Sequence, residues 1–421
     1  MKKPTSGLSD NIRKLIEKGV RIHNPLSVEV GNEVNVGRIS GDAVIIYPGT
    51  RIYGEKTLIS QGVSLGYESP VTIDNCQIGS HVELRGGGVK SSVFLARSGM
   101  ASGAQVREGC LLEEEANTGH TVGLKQTILF PFVTLGSLIN FCDCFMAGGT
   151  SRRNHSEVGS SYIHFNYTAN QDKATPSLIG DVPKGVMLNQ SPIFLGGQGG
   201  LVGPVRIGYG TVISAGTVYR KDCPEGGKLL GEKSYPVGNG LFHPGLYRDV
   251  SRRVYNNILY IANLLALRQW YMHVRQPFFQ HEDMGRALYL GALDVLENMI
   301  RERLKRFEDL SERMEKSVEL AEKALTGNRK KMLLCQKREF HRNWPALEAC
   351  FTGGIERKSD QKKRDSFIKV IDQKIDKEDY DYLKVIQKLN ARETAAGTQW
   401  LQRVVDDITA SAMQCLPSFK L

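Results

Sequence analysis

The densest run of reactive side chains lies in a polar segment flanked by glycines, AGGTSRRNHSEVGSSYIHFNYTANQDKATPS at residues 147–177. It contains His155 directly after Asn154, and a neutral imidazole can take up a proton near neutral pH. His155 is therefore a candidate general base that would remove a proton from an attacking amine or hydroxyl group. In the alternative interpretation His155 is a solvated loop histidine, and Arg152 and Arg153 form a solvated surface patch.

The candidates for substrate binding are polar or charged side chains of the same segment: Arg152, Arg153, Asn154, Asn166, Tyr167 and Lys173. The arginines and the lysine would hold a phosphate or carboxylate of the acceptor molecule. The asparagine and tyrosine would supply directional hydrogen bonds. We expect His164 to be a structural or exposed residue and not a second base.

Other kinds of site are poorly supported by the spacing of the residues. The histidines of the first half are scattered, and Cys142-x-Cys144 lacks a second pair, so we predict no metal site. The glycine-rich runs lack the GK[ST] ending of a phosphate-binding loop. In the C-terminal part, charges of both signs are interleaved, which is typical of a solvated face, so we predict no nucleic-acid binding.

The elements that must position this segment show a period of six residues. Leu195, Leu201, Ile207 and Ile213 fall six apart, with small residues between them. Similar pairs occur earlier, beginning near residue 30. This period is typical of a β-helix, whose flat coils point each aliphatic residue into the core. We predict a helical prelude at 1–27 and a β-helix at 28–245.

The composition changes after about residue 245, where glycine becomes rare and helical spacing dominates. We predict helices at 254–277, 281–325, 329–351, 360–375 and 378–413, with Gly327 ending the second of them. The α-helical domain at 246–421 would cover the open end of the β-helix, pack around a threefold axis or bind a protein partner.

The totals indicate a soluble protein with a large core. Lys and Arg number 55 against 45 Asp and Glu, an excess that suits acidic ligands. Eight cysteines without a CxxC pair predict reduced thiols in the cytoplasm. The N-terminal sequence lacks the apolar region of a signal peptide, and no run of about 18 apolar residues predicts a membrane span.

Taken together, the residues resemble a known family. The order NHxxxG…NY…N…K…IGD…G…LVxPVxIGxGTxIxAGTxxxxD is similar to the left-handed β-helix acetyltransferase domain of the bifunctional N-acetylglucosamine-1-phosphate uridyltransferase / glucosamine-1-phosphate acetyltransferase family. The match is clearest over residues 154–222, and no uridyltransferase domain precedes it in this sequence. The resemblance implies a left-handed parallel β-helix with hexapeptide repeats, here followed by an all-α domain.

The resemblance also implies a homotrimer that uses acetyl-CoA, with His155 as the catalytic histidine. By the same resemblance, Asn166, Tyr167 and Lys173 are substrate-binding residues. Gly197 and Ala215 would lie beside the CoA. Val158 stands where the family has a tyrosine.

We therefore predict an acyl-CoA-dependent acyltransferase, transferring acetyl groups to a sugar, sugar phosphate or sugar nucleotide. His155 would act as the base, and backbone N–H groups of a coil corner would hold the oxyanion. The alternative is a non-catalytic protein that binds a sugar nucleotide or serves as a trimeric scaffold.

Overall fold

The computed structural model describes residues 7–231, 242–282, 284–326, 328–353 and 358–419. The N-terminal part is a solenoid of parallel strands with about 11 turns, and the C-terminal part is helical. The predicted order of a parallel β-helix followed by a helical region is thereby confirmed.

A short helix, α1 (Asp10–Glu17), packs against the first coil of the solenoid. Ser9 caps it by accepting a hydrogen bond from the backbone N–H of Ile12, and Ile12 and Leu15 are buried in the solenoid core. The first strand of the solenoid, Arg21–Ile22, begins before the predicted boundary at residue 28.

The strands form three ladders, which we call the first, second and third faces of the solenoid. The first face contains Arg21–Ile22, Ile45–Ile46, Ser64–Leu65, Glu83–Leu84, Gly99–Met100, Asn117–Thr118, Thr134–Leu135, Glu157–Val158, Phe194–Leu195, Val212–Ile213 and Leu229–Leu230. The second contains Glu29–Val30, Arg51–Tyr53, Val71–Asp74, Gly87–Lys90, Ala104–Val106, Ile163–Phe165, Gly200–Val202 and Val218–Tyr219. The third contains Leu58–Ile59, Gln77–Ile78, Val93–Phe94, Leu111–Leu112, Ser177–Ile179 and Arg206–Ile207.

Two longer strands, Gly123–Leu129 and Asn140–Met146, turn a corner and belong to both the second and the third face. The period of six in the sequence arises because each coil places one inward-pointing residue on each of the three faces. Leu195 lies on the first face, Leu201 on the second and Ile207 on the third, and each is buried.

The regular coils are interrupted at the segment that carries the reactive side chains. An antiparallel hairpin, Gly149–Ser151 with Asn154–His155, leaves the corner between the third and first faces. A loop at 166–176 leaves the corner between the second and third faces. A one-turn helix, α2 (Val182–Gly185), follows with Asp181 as its cap.

From Ser251 onward, the described residues of the C-terminal region are mainly helical. Its helices are α3 (Ser251–Trp270), α4 (Gln276–Phe279), α5 (Gly285–Ala324), α6 (Asn328–Arg342), α7 (Trp344–Thr352), α8 (Lys358–Ile375), α9 (Tyr382–Gln387) and α10 (Ala391–Gln414). A π-helical segment, Tyr271–Arg275, joins α3 to α4. Short 3₁₀ helices occur at Pro25–Ser27, Val36–Arg38, Asp376–Glu378 and Pro417–Phe419.

Two predicted helices are each divided in the structure. The helix expected at 329–351 ends at Arg342, and α7 begins at Trp344. The break occurs here because the first turn of α7 contains a proline, which has no backbone N–H to continue the hydrogen bonding of a preceding helix. The one expected at 378–413 is divided where Asn390 and Glu393 form a capping box at the start of α10. Gly327, predicted to end the second helix, lies outside the described residues.

The helices lie along the third face and not over an open end of the solenoid. Near one end, Nζ of Lys56 lies 3.2 Å from Oδ2 of Asp294 in α5. Near the other end, the Asn256 amide in α3 donates to Oδ1 of Asp222 at 3.1 Å. The prediction that the helical domain covers an open end of the β-helix is therefore wrong, because the described helices cover its third face. Among the described residues, no helix has the length and apolar character needed to cross a membrane.

Candidate functional site

The hairpin that carries His155 depends on two glycines. Gly148 and Gly149 have φ of +108° and +103°, in the left-handed region that side chains rarely adopt. A Cβ atom on Gly149 would lie 2.5 Å from Cα of His155, because the two hairpin strands approach closely. The backbone N–H of Gly149 also donates to the carbonyl of Gln190 at 3.0 Å, which attaches the hairpin to the next coil.

The hydrogen bonding of His155 determines which ring nitrogen can accept a proton. Nδ1 lies 2.9 Å from the carbonyl oxygen of Arg152. A carbonyl oxygen only accepts, so Nδ1 carries the hydrogen and Nε2 of the neutral ring keeps its lone pair. Nε2 lies 3.8 Å from Oε2 of Glu157, and the side chain remains 19% exposed. The ring can therefore act as a base at Nε2, with a carboxylate positioned to stabilise the imidazolium.

Glu157 is not among the residues predicted from the sequence, although the chain carries a signal for it. In an extended chain, residues two apart point to the same side, so the side chain of Glu157 shares a side with that of His155. The two are separated only by Ser156, whose hydroxyl donates to the Ala147 carbonyl at 2.8 Å.

The other predicted residues of the hairpin have different environments. Arg152 is held firmly, because its Nη1 donates to the carbonyls of Glu115 and Phe132, each at 3.0 Å, and to the Thr134 hydroxyl at 2.9 Å. The Asn154 amide donates to the Thr150 hydroxyl at 2.9 Å, which supports the hairpin itself. The guanidinium of Arg153 is exposed and has no hydrogen-bond or ion-pair partner among the described residues.

Asn166, Tyr167 and Lys173 lie at a different corner from His155, in the loop between the second and third faces. The Asn166 amide donates to Oδ2 of Asp143 at 3.0 Å, and Asp143 forms a buried ion pair of 2.8 Å with Arg303 of α5. The carbonyl of Lys173 accepts from the same arginine at 3.2 Å. Tyr167 is exposed. This loop is thus also the contact surface for the helical region.

Gly197 and Ala215 lie at the third corner, between the first and second faces. Small residues stack there because neighbouring coils approach closely. A Cβ on Gly197 would lie 2.7 Å from the Ser160 carbonyl oxygen, and one on Gly196 would lie 2.3 Å from the backbone nitrogen of Ala215. The corner is therefore lined mainly by backbone, and Ala215 is exposed on it. The three predicted groups of residues occupy three different corners of one chain.

His164 is buried between two coils, as a structural residue would be. Nδ1 donates to the Cys142 carbonyl and Nε2 accepts from the Ser177 hydroxyl, each at 2.7 Å. Burial lowers the pKa of His164 to about 4, because the charged imidazolium loses its hydration there. His164 is therefore neutral at physiological pH and has no free nitrogen. Within the described ranges, no group of three or more His, Cys, Asp or Glu side chains is arranged to hold a metal ion.

Comparison with known proteins relates the solenoid to one group of bacterial proteins. No family model matches the chain. The bifunctional protein GlmU of Thermotoga maritima is 29% identical over 230 residues, which cover 54% of this chain and 46% of the relative. The chain is similar to GlmU. The predicted resemblance is thereby confirmed.

Two further relatives give the same result. GlmU of Synechococcus elongatus is 29% identical over 229 residues, covering 52% of this chain and 45% of the relative. GlmU of Nitratidesulfovibrio vulgaris is 30% identical over 216 residues, covering 50% of this chain and 41% of the relative. The match to the GlmU proteins therefore extends over about half of this chain and slightly less than half of each relative.

Proposed function

We propose that this protein is an acyl-CoA-dependent acyltransferase that transfers an acetyl group from acetyl-CoA to a sugar, sugar phosphate or sugar nucleotide. The similarity to GlmU and the parallel solenoid support the class of reaction. The observation that carries the proposal is the hydrogen bond from Nδ1 of His155 to the Arg152 carbonyl, which leaves Nε2 free to accept a proton. Eight free thiols support a cytoplasmic location.

In this mechanism an amine or hydroxyl of the acceptor attacks the thioester carbonyl carbon of acetyl-CoA. Nε2 of His155 takes the proton of the attacking group, and the carboxylate of Glu157 stabilises the imidazolium that forms. Backbone N–H groups of a coil corner stabilise the oxyanion. The C–S bond then breaks, and the CoA thiolate recovers the proton from His155. The corner lined by Gly197 and Ala215 suits the CoA because no large side chains project there.

A homotrimer would form through the faces of the solenoid that the helices leave uncovered. The helices cover the third face, so the first and second faces remain for contacts between chains. On the first face the outward residues of the last coils are apolar, consecutive in register and exposed: Phe194, Val212 and Leu229. On the second face Ile163 and Val218 are also exposed. Apolar patches of this kind are typical of protein–protein contacts.

The decisive experiment is the substitution His155→Ala. We expect acetyl transfer, measured as release of free CoA thiol with glucosamine 1-phosphate and related acceptors, to fall by about 10²- to 10⁴-fold, as for loss of a general base. The matched control is His81→Ala, an exposed histidine at the same corner in an earlier coil. Native mass spectrometry should give a trimer for all three proteins. An unchanged rate in His155→Ala would exclude the histidine from the mechanism.

A specific observation favours a second candidate, a non-catalytic protein that binds sugar nucleotides. The amide nitrogen of Asn166 donates to Asp143 under the helical region, so one of the two donors that a substrate would use is already engaged. Thermal shift with acetyl-CoA and with UDP-N-acetylglucosamine separates the two, since a ligand at 100 times its Kd stabilises the folded state by about 2.7 kcal/mol. Stabilisation by the sugar nucleotide alone would favour the binding protein.

A further inference from the structure

A cleft of about 490 Å³ lies between the tip of the His155 hairpin and helix α9 of the helical region. We call it the hairpin cleft. Arg97, Arg152 and Arg153 line it from the solenoid, and Lys384 and Gln387 line it from α9. The Gln387 amide donates to the Thr150 carbonyl at 2.6 Å, which joins the two walls. Both parts of the chain therefore form this cleft.

The side chains that line the hairpin cleft carry an excess of positive charge. The four cations face two carboxylates, Glu115 and Asp381. Glu115 lies 3.1 Å from Nε of Arg97, and Asp381 lies 3.2 Å from Nζ of Lys384. These two ion pairs leave the positive charges of Arg152 and Arg153 without a carboxylate partner in the cleft. The hydrogen bonds of Arg152 to the solenoid hold its guanidinium in place. A dianionic ligand would balance the cleft.

One residue that lines the cleft also positions the proposed base. Arg152 and Arg153 form the tip of the hairpin, and the carbonyl of Arg152 accepts the hydrogen bond from Nδ1 of His155. An anion held by these arginines would therefore be bound on the element that positions the imidazole. Two parallel N–H donors of a guanidinium group match the oxygens of a carboxylate or a phosphate, but only a phosphate also carries close to two negative charges.

We propose that the hairpin cleft binds the phosphate group of the acceptor, and that the helical region contributes Lys384 and Gln387 to this site. This proposal rests on the proposed function, in that it takes the acceptor to be phosphorylated. The phosphate would be that of a sugar phosphate or the diphosphate of a sugar nucleotide. The helical region would then help to select the substrate instead of only covering the solenoid.

The test is the dissociation constant, measured by calorimetry, for glucosamine 1-phosphate, UDP-N-acetylglucosamine and acetyl-CoA. We expect Lys384→Met and Arg153→Met each to weaken binding of one of the first two ligands by about ten- to a hundredfold, the range for hydrogen bonds to charged groups. Binding of acetyl-CoA should change less than about twofold. Both residues are exposed, so the variants should fold. The matched control is Lys388→Met, an exposed lysine that pairs with Glu378 outside the cleft.

The test also distinguishes the two sources of the phosphate. Weaker binding of glucosamine 1-phosphate would indicate a sugar phosphate, and weaker binding of UDP-N-acetylglucosamine would indicate a sugar nucleotide. The proposal is overturned if neither variant weakens either acceptor ligand, if the wild-type protein binds neither of them, or if only acetyl-CoA binding falls. Binding does not require turnover, so this result is independent of the His155→Ala rate. If His155→Ala keeps full activity while Lys384→Met still weakens a phosphorylated ligand, the cleft is retained and the catalytic proposal fails.

Discussion

Two histidines of the same interrupted coil show how contacts decide the chemistry of a residue. His155 is partly exposed and makes one ring hydrogen bond, which leaves Nε2 available near Glu157. His164 is buried and uses both nitrogens within the fold. The two residues are of one type, so the difference in role comes from their surroundings and not from the side chain itself.

For Glu157 we expect a modest effect on the rate. Glu157→Gln removes the carboxylate that would stabilise the imidazolium, but Glu157 is exposed and its Oε2 lies 3.8 Å from Nε2 of the partly exposed His155. Exposed ion pairs are worth about 0–1 kcal/mol, which corresponds to at most about a fivefold loss of kcat. The measurement is the rate of CoA release at saturating acceptor. A loss as large as that of His155→Ala would instead assign Glu157 a direct part in proton transfer.

For His164 we expect an effect on stability that depends on pH. Its pKa is about 4 in the folded state because of burial, and about 6.5 in the unfolded chain. Between these pH values the unfolded state binds more protons, so the free energy of unfolding falls as the pH falls from about 6.5 through 4. His164→Gln, followed by urea denaturation at pH 7 and pH 4.5, should lose this dependence. An equal difference from the wild type at both pH values would contradict it.

At the scale of elements, the π-helical segment between α3 and α4 connects the helical region to the solenoid. Arg275 in this segment is buried against Glu114 and lies 3.6 Å from the ring centroid of Tyr382. The hydroxyl of Tyr271 donates to Glu113. Burial raises the pKa of Glu113 to about 7. The two regions therefore meet through charged groups that are removed from water.

Arg275→Met should be strongly destabilising. It leaves Glu114 buried without its partner, and breaking a buried pair in this way costs about 3–5 kcal/mol. The free energy of unfolding is measured by urea denaturation. The matched control Lys56→Met breaks the exposed pair with Asp294 and should cost no more than about 1 kcal/mol. Equal costs for the two variants would contradict the role of the buried pair, and adding Glu114→Gln to Arg275→Met should restore part of the loss.

At the scale of the whole molecule, the third face is apolar on both sides over most of its length, with Gln77 and Arg206 as the exceptions in its outward ladder. Its inward residues fill the solenoid core, and its outward residues are buried by the helices: Leu58, Val93, Leu111, Ile128, Phe145 and Leu178. A strand that is buried on both sides has consecutive apolar residues, as in Leu111–Leu112. The first face alternates instead, and its outward residues are mostly polar until the last coils. The solenoid therefore depends on the helices to cover one whole side.

A chain that ends at residue 245 should for this reason aggregate. It would expose the apolar third face and leave Glu113, Glu114 and Asp143 without their partners from the helices. Size-exclusion chromatography with light scattering, compared with the full chain, measures this directly. A soluble trimer of the shortened chain would show that the helical region is not needed to cover the solenoid.

The sequence by itself determined the solenoid and the position of the change to helices. A period of six residues specifies an inward side chain on each side of a coil, and this information is local. It also identified His155 as a candidate base, because the residue type and its polar surroundings are visible in the chain. Glu157 was within reach by the same reasoning, since strand alternation places it on the same side as His155.

Only the tertiary structure decided where the helices lie and what the predicted site residues contact. The pair of Arg275 with Glu114 and the contact of Gln387 with Thr150 join residues that are far apart in sequence. The same holds for Asn166, whose amide is engaged with Asp143 beside Arg303 of α5. Such contacts depend on the shape and charge of two separate surfaces, which no local periodicity encodes. For this reason the tautomer of His155, the three separate corners and the hairpin cleft emerged only from the packed chain.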